Sequence, residues 1–396
     1  MLKEIGRALA QARERSGLSQ QAAAEAAGLS RVVLSYYETG ARQPPLGVLV
    51  SLARLYATSL TALLEGAKEP EATPRVPDVL FRAAPAELSD RAKAQARRFS
   101  DLADAYVELI EELDVAPPGR GTSPFPGVRP RASRRDAARL AREVRGFLGL
   151  GLGPINDLFR LVDEHVLVFR LALGSDLSEA PSGFFYNHPR AGFCVVVNSD
   201  MTLGRQVFTL AHELAHVFFH SQRLDVSISM PGASIERERF ADLFAGEFLV
   251  PADALAGAID ELDPWEEISD PLVVVHLQRH FGVSYGALLV RLRQERYVTE
   301  EEYQQLRLVS PSALAQTLGY PVNPADLGDY ELSPLDRFPD RMLRLVRAAI
   351  RQGRITLGDA AETLGVSVED LRFDGPPAGA AERRALEDIE AVAHLG

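Results

Sequence analysis

Residues 212–216 read His-Glu-Leu-Ala-His. Histidines four positions apart lie one above the other on a helix face, so both imidazoles can reach one metal ion. Glu213, beside that face, is placed to take a proton from a metal-activated water. Two nitrogens, a third protein ligand and a water make a tetrahedral site with an open position, which suits zinc in hydrolysis. An N2O donor set also accepts manganese or another divalent ion. With eight histidines in 396 residues, chance gives this pattern in roughly one chain in a hundred. The flanks oppose a solvent-facing helix. Phe208, Leu210, Ala211, Leu214, Ala215, Val217 and Phe218 make it mostly apolar, and buried polar groups need partners.

Carboxylates for the third ligand follow at 236–251, ERERFADLFAGEFLVP, an amphipathic helix that closes at Pro251. Glu236, Glu238 and Asp242 all stand there. His220 ends the first helix one turn after His216. It reads as a partner behind a ligating ring, as an oxyanion-stabilising group, or as a partly exposed terminal histidine, the last being favoured. His276 and His280 form another i,i+4 pair, but Leu277 occupies the place of the acid. That pair reads as surface helix.

The string R-x-x-F-T-L-A-H-E-L-A-H over 205–216, followed by E-R-F-A-D-x-F-A-x-E-F-L-V-P over 238–251, resembles the ImmA/IrrE family of zinc metallopeptidases. The resemblance runs from about 150 to 295 and takes in GPINDLF (153–159), GFCVVVN (192–198) and FGVSYGALLVRL (281–292). It implies a zincin-like fold with Glu238 as the third ligand, Glu236 and Asp242 being the competitors. Asp242 stands where the family more often has Asn, and is expected to hold a ligating histidine from behind. The family's activity implies cleavage of a repressor-type protein in a stress or phage and mobile-element response. The rival expectation is a transcription factor whose peptidase-like fold only senses a ligand or dimerises. An antitoxin or phage-immunity role has no separate signal.

The elements around this motif are helical before and after a short β region. HVLVFRLAL, GFFYN and GFCVVVN are apolar, β-branched or aromatic, and bounded by turn residues, so they read as strands. Residues 134–149 and 154–164 read as helices, and the pattern from 203 onward is helical again. The expected class is mostly α with a small β-sheet (α+β). Residues 355–373 look like a helix-turn-helix, but Glu369 and Asp370 on its second helix oppose DNA phosphate, so it reads as a structural or protein-contact unit.

The N-terminal stretch carries a second pattern, SQQAAAEAAGLSRVVLSYYETG, over 19–40. Two short helices meet at a Gly turn, with Ser19 and Ser30 as N-caps and small residues, Ala23 and Ala27, where the helices cross. The second helix starts with polar side chains, as a helix entering the major groove does. Residues 2–65 resemble the Xre/Cro repressor-like family, a bundle of five helices closed by LTALLEG. The resemblance places Ser30, Arg31, Val32 and Ser35 against bases of double-stranded operator DNA, and Gln20 and Arg42 against phosphates. A lightly basic recognition helix implies a homodimer on a palindrome.

Charge is divided in the same way. Residues 1–66 hold seven basic and five acidic side chains, a balance of +2, against −14 for the remainder of a chain whose total is −12. A chain of this length usually forms more than one domain. The expected division is a helix-turn-helix head over 1–66, a linker over 67–133 with a helix at about 86–113, a metallopeptidase domain over 134–300, and a helical C-terminal region over 301–396. Within the linker, 68–81 and 116–133 are rich in Pro and read as exposed and mobile. Cys194 is the only cysteine, which excludes an internal disulfide and a multi-thiolate zinc site. Its isolation fits a reducing, cytoplasmic setting. No apolar run approaches the ~18–20 residues of a membrane span.

Overall fold

The computed structural model describes residues 2–56 apart from 17, positions 58 and 63, and residues 89–175, 180–221, 226–229, 236–319 and 332–371. The chain divides into two compact units, Met1–Thr73 and Pro74–Gly396.

The described helices of the first unit are α1 (Leu2–Arg15), α2 (Gln20–Ala26), α3 (Arg31–Glu38) and α4 (Leu46–Leu55). Ser19 and Ser30 cap α2 and α3, their hydroxyls accepting from Ala22 N and Val33 N at 3.1 and 3.3 Å. Such caps satisfy amide groups that a helix start leaves without partners. Between them Gly28 sits at φ +67°, a left-handed turn that a side chain would disfavour. Leu9, Ala23, Ala24, Leu34 and Leu52 form the centre of the core. The Arg13 guanidinium meets Glu38 at 2.7 Å and ties α1 to α3. Of the expected closing helix only Leu63 is described, and it is buried. The expected linker at 68–81 lies outside the described residues.

The second unit is built on a four-stranded sheet: β1 (Leu167–Leu171), β2 (Gly183–His188), β3 (Gly192–Asn198) and β4 (Val226–Ser229). The order is β1-β3-β2-β4, with β1 and β3 parallel and the other pairs antiparallel. β1, β2 and β3 are the expected strands. β4 falls where helix was expected, because four residues are too few for a periodicity to register.

Every residue of β1, β2 and β3 is buried, and their near-continuous apolar runs reflect a sheet covered on both faces. Alternate side chains enter different cores. Val168, Phe185, Phe193, Val195 and Val197 face one, and Leu167, Phe169, Phe184, Tyr186, Cys194 and Val196 the other. The first face carries α6 (Arg134–Phe147), α8 (Leu203–Ala215), α9 (Glu236–Leu249), α11 (Pro271–Phe281) and α12 (Tyr285–Gln294). Between α6 and β1 lies the short α7 (Leu158–Leu161), where a longer helix over 154–164 was expected. Asp157 caps α7, so it starts late.

The second face is covered by α5 (Asp90–Glu112), α15 (Asp340–Arg351) and α16 (Leu357–Leu364). The structure therefore corrects the linker reading of α5. Its Phe99 is fully buried and meets the rings of Phe169, Phe184 and Tyr186 edge-on at 5.5, 5.4 and 6.5 Å. Residues 116–133 differ from the mobile stretch expected. They form a strap in which Gly121 and Asn187 exchange two hydrogen bonds of 2.9 Å. Phe125 packs against Phe147, Phe218 and Phe219 at 5.4–5.7 Å, and the Ser123 hydroxyl donates to Phe218 O.

Along the first face, α10 (Ala252–Asp260) joins α9 to α11, and α13 (Glu300–Leu306) and α14 (Pro311–Thr317) follow α12. α16 is the first helix of the 355–373 pattern. Past Gly365 the chain makes turns and tucks Leu371 into the second core, in keeping with a structural role. Among the described residues no helix is long and apolar enough to cross a membrane.

Candidate metal centre and nucleic-acid interface

α8 begins at the Thr202 cap, whose hydroxyl accepts from Arg205 N at 3.3 Å. Leu210, Ala211, Leu214 and Ala215 are fully buried and fix which face carries His212 and Glu213. At His216 the helix widens into a π-helical turn, His216–His220, a local change of winding common at functional sites.

The His212 and His216 Nε2 atoms lie 3.2 Å apart. From the first turn of α9, Glu238 brings Oε2 to 3.2 Å from His212 Nε2 and Oε1 to 3.5 Å from His216 Nε2. A tetrahedral site with bonds of about 2.0–2.2 Å has edges of about 3.3–3.6 Å. The two 3.2 Å spacings come near those edges, the 3.5 Å approach to His216 being made by the other Glu238 oxygen, and the two imidazoles and one carboxylate are the donors a borderline divalent ion takes. The residues therefore fit a metal ion. Among the described residues, His212, His216 and Glu238 are the group so arranged. Glu236 is exposed two residues earlier. His276 and His280 are exposed on α11, as expected.

Asp242, one turn beyond Glu238, places Oδ1 2.9 Å from His212 Nδ1. A carboxylate there holds the Nδ1 proton and leaves the Nε2 lone pair facing inward. Burial opposes charge on His212, but hydrogen bonds to Asp242 and Glu238 outweigh it and raise its pKa to about 10. Burial likewise opposes charge on Glu238, and the two histidines overcome it to hold the carboxyl well below its usual range. His220 is buried, with Nδ1 3.0 Å from His216 Nδ1. Burial first, then the charges of His216 and Arg237, push its pKa down to about 3. A neutral His220 ring can accept the Nδ1–H of His216, which orients the second imidazole as Asp242 orients the first.

Glu213 is fully buried. Opposite it, Gly183 opens β2. A Cβ at Gly183 would lie 2.6 Å from Val196 O, 2.7 Å from Thr209 Cγ2 and 3.5 Å from Glu213 Oε1. Only glycine lets strand and helix approach so closely. The sequence marked this residue only as the first of the strand GFFYN. A cavity of about 690 Å³ opens against His212, Glu238 and Asp242, between α8, α9 and α12. Phe208, Leu249, Val283 and Val290 give it apolar walls, and Arg205 is exposed at its rim.

In the first unit, Arg31, Val32 and Tyr36 form the exposed side of α3, Val32 being 58% and Tyr36 48% accessible. Gln20 donates to Glu38 Oε2 at 3.0 Å and accepts from Arg31 Nε at 3.4 Å. Arg42 is exposed just past α3.

The family model for an IrrE N-terminal-like domain, a peptidase M78 family, matches residues 167–293. The model for a helix-turn-helix domain matches residues 4–65. The chain joins a helix-turn-helix domain to an IrrE-like peptidase domain. No curated protein matches it.

In the IrrE-like domain the structure brings together His212, His216, Glu238, Asp242 and His220, with Glu213 alongside. In the helix-turn-helix domain, the Ser30 hydroxyl is engaged as a cap and Ser35 is half-buried. Tyr36 takes the exposed position that Ser35 was expected to hold. Its neighbour Tyr37 is buried, and nothing in a Tyr-Tyr pair says which ring faces out until the helix phase is known.

Proposed function

We propose that the chain is a DNA-binding regulator whose second unit is a zinc-dependent endopeptidase. Its substrate is a repressor-type protein, cleaved in a stress or phage and mobile-element response. The observation that carries this reading is the convergence of His212, His216 and Glu238 within reach of one ion beside the buried Glu213.

His212, His216 and Glu238 hold the ion, with zinc the first choice and manganese or another divalent ion able to use the same donors. When bound, the ion supplies Lewis acidity toward a peptide carbonyl and lowers the pKa of a water. Glu213 takes the proton of the attacking water and delivers it to the leaving amine. Asp242 and His220 keep both imidazoles turned inward. Among the described residues β4 forms one edge of the sheet, and its Ser229 pairs with Gly183, the residue against Glu213. An extended peptide laid along that edge gains main-chain hydrogen bonds and arrives at the carboxylate.

In the head, Arg31, Val32 and Tyr36 face base edges while Gln20 and Arg42 set the position on the phosphates. Two copies on a palindrome supply the affinity that a balance of +2 leaves short.

The deciding experiment incubates purified protein with repressor-type proteins encoded beside it. Glu213→Gln is expected to abolish cleavage and keep one equivalent of metal, and His212→Ala to lose both. Cleavage that survives either substitution overturns the proposal.

A further inference from the structure

Residues 120–145 hold eight arginines and two carboxylates, in a chain whose total charge is −12. Overall composition does not account for such a concentration. Arg145 is buried and turns inward onto the carbonyls of Gly151 and Phe248. The other seven are exposed.

Four of them stand on one corner, where the strap enters α6. In the stretch 128–132, Val128 and Ala132 pack against the first core, while Arg129 and Arg131 are exposed. Arg134 and Arg135 follow in the first turn of α6. The corner is held by a reciprocal pair of bonds. Ser133 Oγ accepts from Asp136 N at 3.2 Å, and Asp136 Oδ2 accepts from Arg131 N at 2.9 Å. Ala137 and Leu140 bury the next turn in the core. The four arginines are thus carried on fixed backbone.

The nearby carboxylates are engaged by other residues. Asp136 and Glu143 meet Arg139 at 3.8 and 2.8 Å, and Asp253 meets Arg142 at 2.7 Å. Among the described residues none pairs with the side chains of Arg129, Arg131, Arg134 or Arg135. Helix stability does not call for these charges, because the positive end of the helix dipole opposes cations in a first turn. That same dipole adds to their field and favours an anion. Guanidinium forks match phosphate oxygens.

The occupant follows from what the corner lacks. Between residues 126 and 143 no large apolar side chain is exposed, whereas protein partners draw most of their affinity from buried apolar and aromatic anchors. A phosphate backbone needs only the charge. The chain already carries a helix-turn-helix domain, a module whose ligand is double-stranded DNA.

We propose that this corner is a second DNA contact, in which Arg129, Arg131, Arg134 and Arg135 hold backbone phosphates of duplex DNA and read no bases. It is independent of the peptidase reading, since no residue of the metal centre takes part.

The test follows the full chain binding a fluorescently labelled random-sequence duplex by anisotropy, between about 50 and 200 mM salt. R129Q/R131Q/R134Q/R135Q is expected to flatten the slope of log K against log salt by about 3–4, at ~0.9 for each phosphate contact, and to weaken binding roughly tenfold or more at the lowest salt. R129Q/R131Q and R134Q/R135Q are each expected to give about half of the slope change, so the result does not depend on the folding of one variant. R97Q/R307Q/R351Q removes exposed charges elsewhere and is expected to leave the slope unchanged. Thermal midpoints equal to wild type show that the variants are folded. Wild-type affinity and slope in the folded variants overturn the proposal and leave the corner to an acidic protein. An equal loss in the control, or no binding of the duplex by the wild-type chain, overturns it as well.

Discussion

Phe99 is the residue on which the covering of the second sheet face turns, and Phe99→Ala tests it. The ring is fully buried and makes three edge-to-face contacts, with Phe169, Phe184 and Tyr186. Removing it forfeits the transfer free energy of the ring and leaves a cavity, and substitutions of this kind cost about 3–5 kcal/mol. Each aromatic pair adds about 0.5–1.5 kcal/mol beyond area burial, which places this site toward the upper end. Against a total stability of about 5–15 kcal/mol, that loss is large. Urea unfolding followed by far-ultraviolet circular dichroism measures it, with Arg97→Ala as control. Arg97 is exposed on the same helix and should change stability by no more than about 0.5 kcal/mol. If Phe99→Ala costs as little as Arg97→Ala, α5 is not part of the body and the linker reading of 67–133 returns.

Asp242→Asn should weaken metal binding by about tenfold, the low end of the 10–100-fold typical for such partners, because the Asp242 side chain is 61% accessible. Competition with a chromophoric chelator measures this, and an unchanged affinity would show that His212 needs no carboxylate behind it. In metal-free protein, His212 is raised from 6.5 to about 10. Its stabilising contribution is therefore complete below pH 6.5 and lost as pH rises through about 10. The thermal midpoint of metal-free protein should fall over that window, and metal binding near pH 7.5 should release a proton, seen by calorimetry in buffers of different ionisation enthalpy. A midpoint that rises with pH contradicts this. Arg31→Ala and Tyr36→Ala should each relax preference at one base position, at about 1–3 kcal/mol. Arg42→Ala should weaken binding to all sequences, and a binding-site selection experiment separates the two outcomes.

The chemistry was legible because it is local. His212, Glu213 and His216 sit within five residues, and helix geometry converts that spacing into a shared face. The caps at Ser19 and Ser30 and the strands β1 to β3 were legible for the same reason. Choosing Glu238 over Glu236 and Asp242 came from resemblance, and the structure supplies a geometric reason in the helix phase. What stayed hidden depends on distant partners. The Arg, Lys, Asp and Glu side chains of α5 make it look like a charged surface helix, and the small Ala92, Ala96 and Ala103 do not announce the aromatic side of the sheet that lies against them. Phe125 and Asn187 anchor a strap whose Pro and Gly content signals mobility in isolation. His220 draws its meaning from the π-helical turn, which no periodicity announces.

The layer made by α5, α15 and α16 brackets the IrrE-like match in sequence, with one part before residue 167 and the others after 293. On the ribosome the HELAH helix emerges while half of that layer is unmade. From His216 to Leu371 are 155 residues, or roughly 8–30 s of synthesis at ~5–20 residues per second. During that interval Phe169, Phe184 and Val196 lack the covering of α15 and α16. The metal-binding half is thus born with its back open, and nascent or prematurely terminated chains are the form most exposed to chaperones and degradation. Completion of the second core awaits the return of α15 to α5.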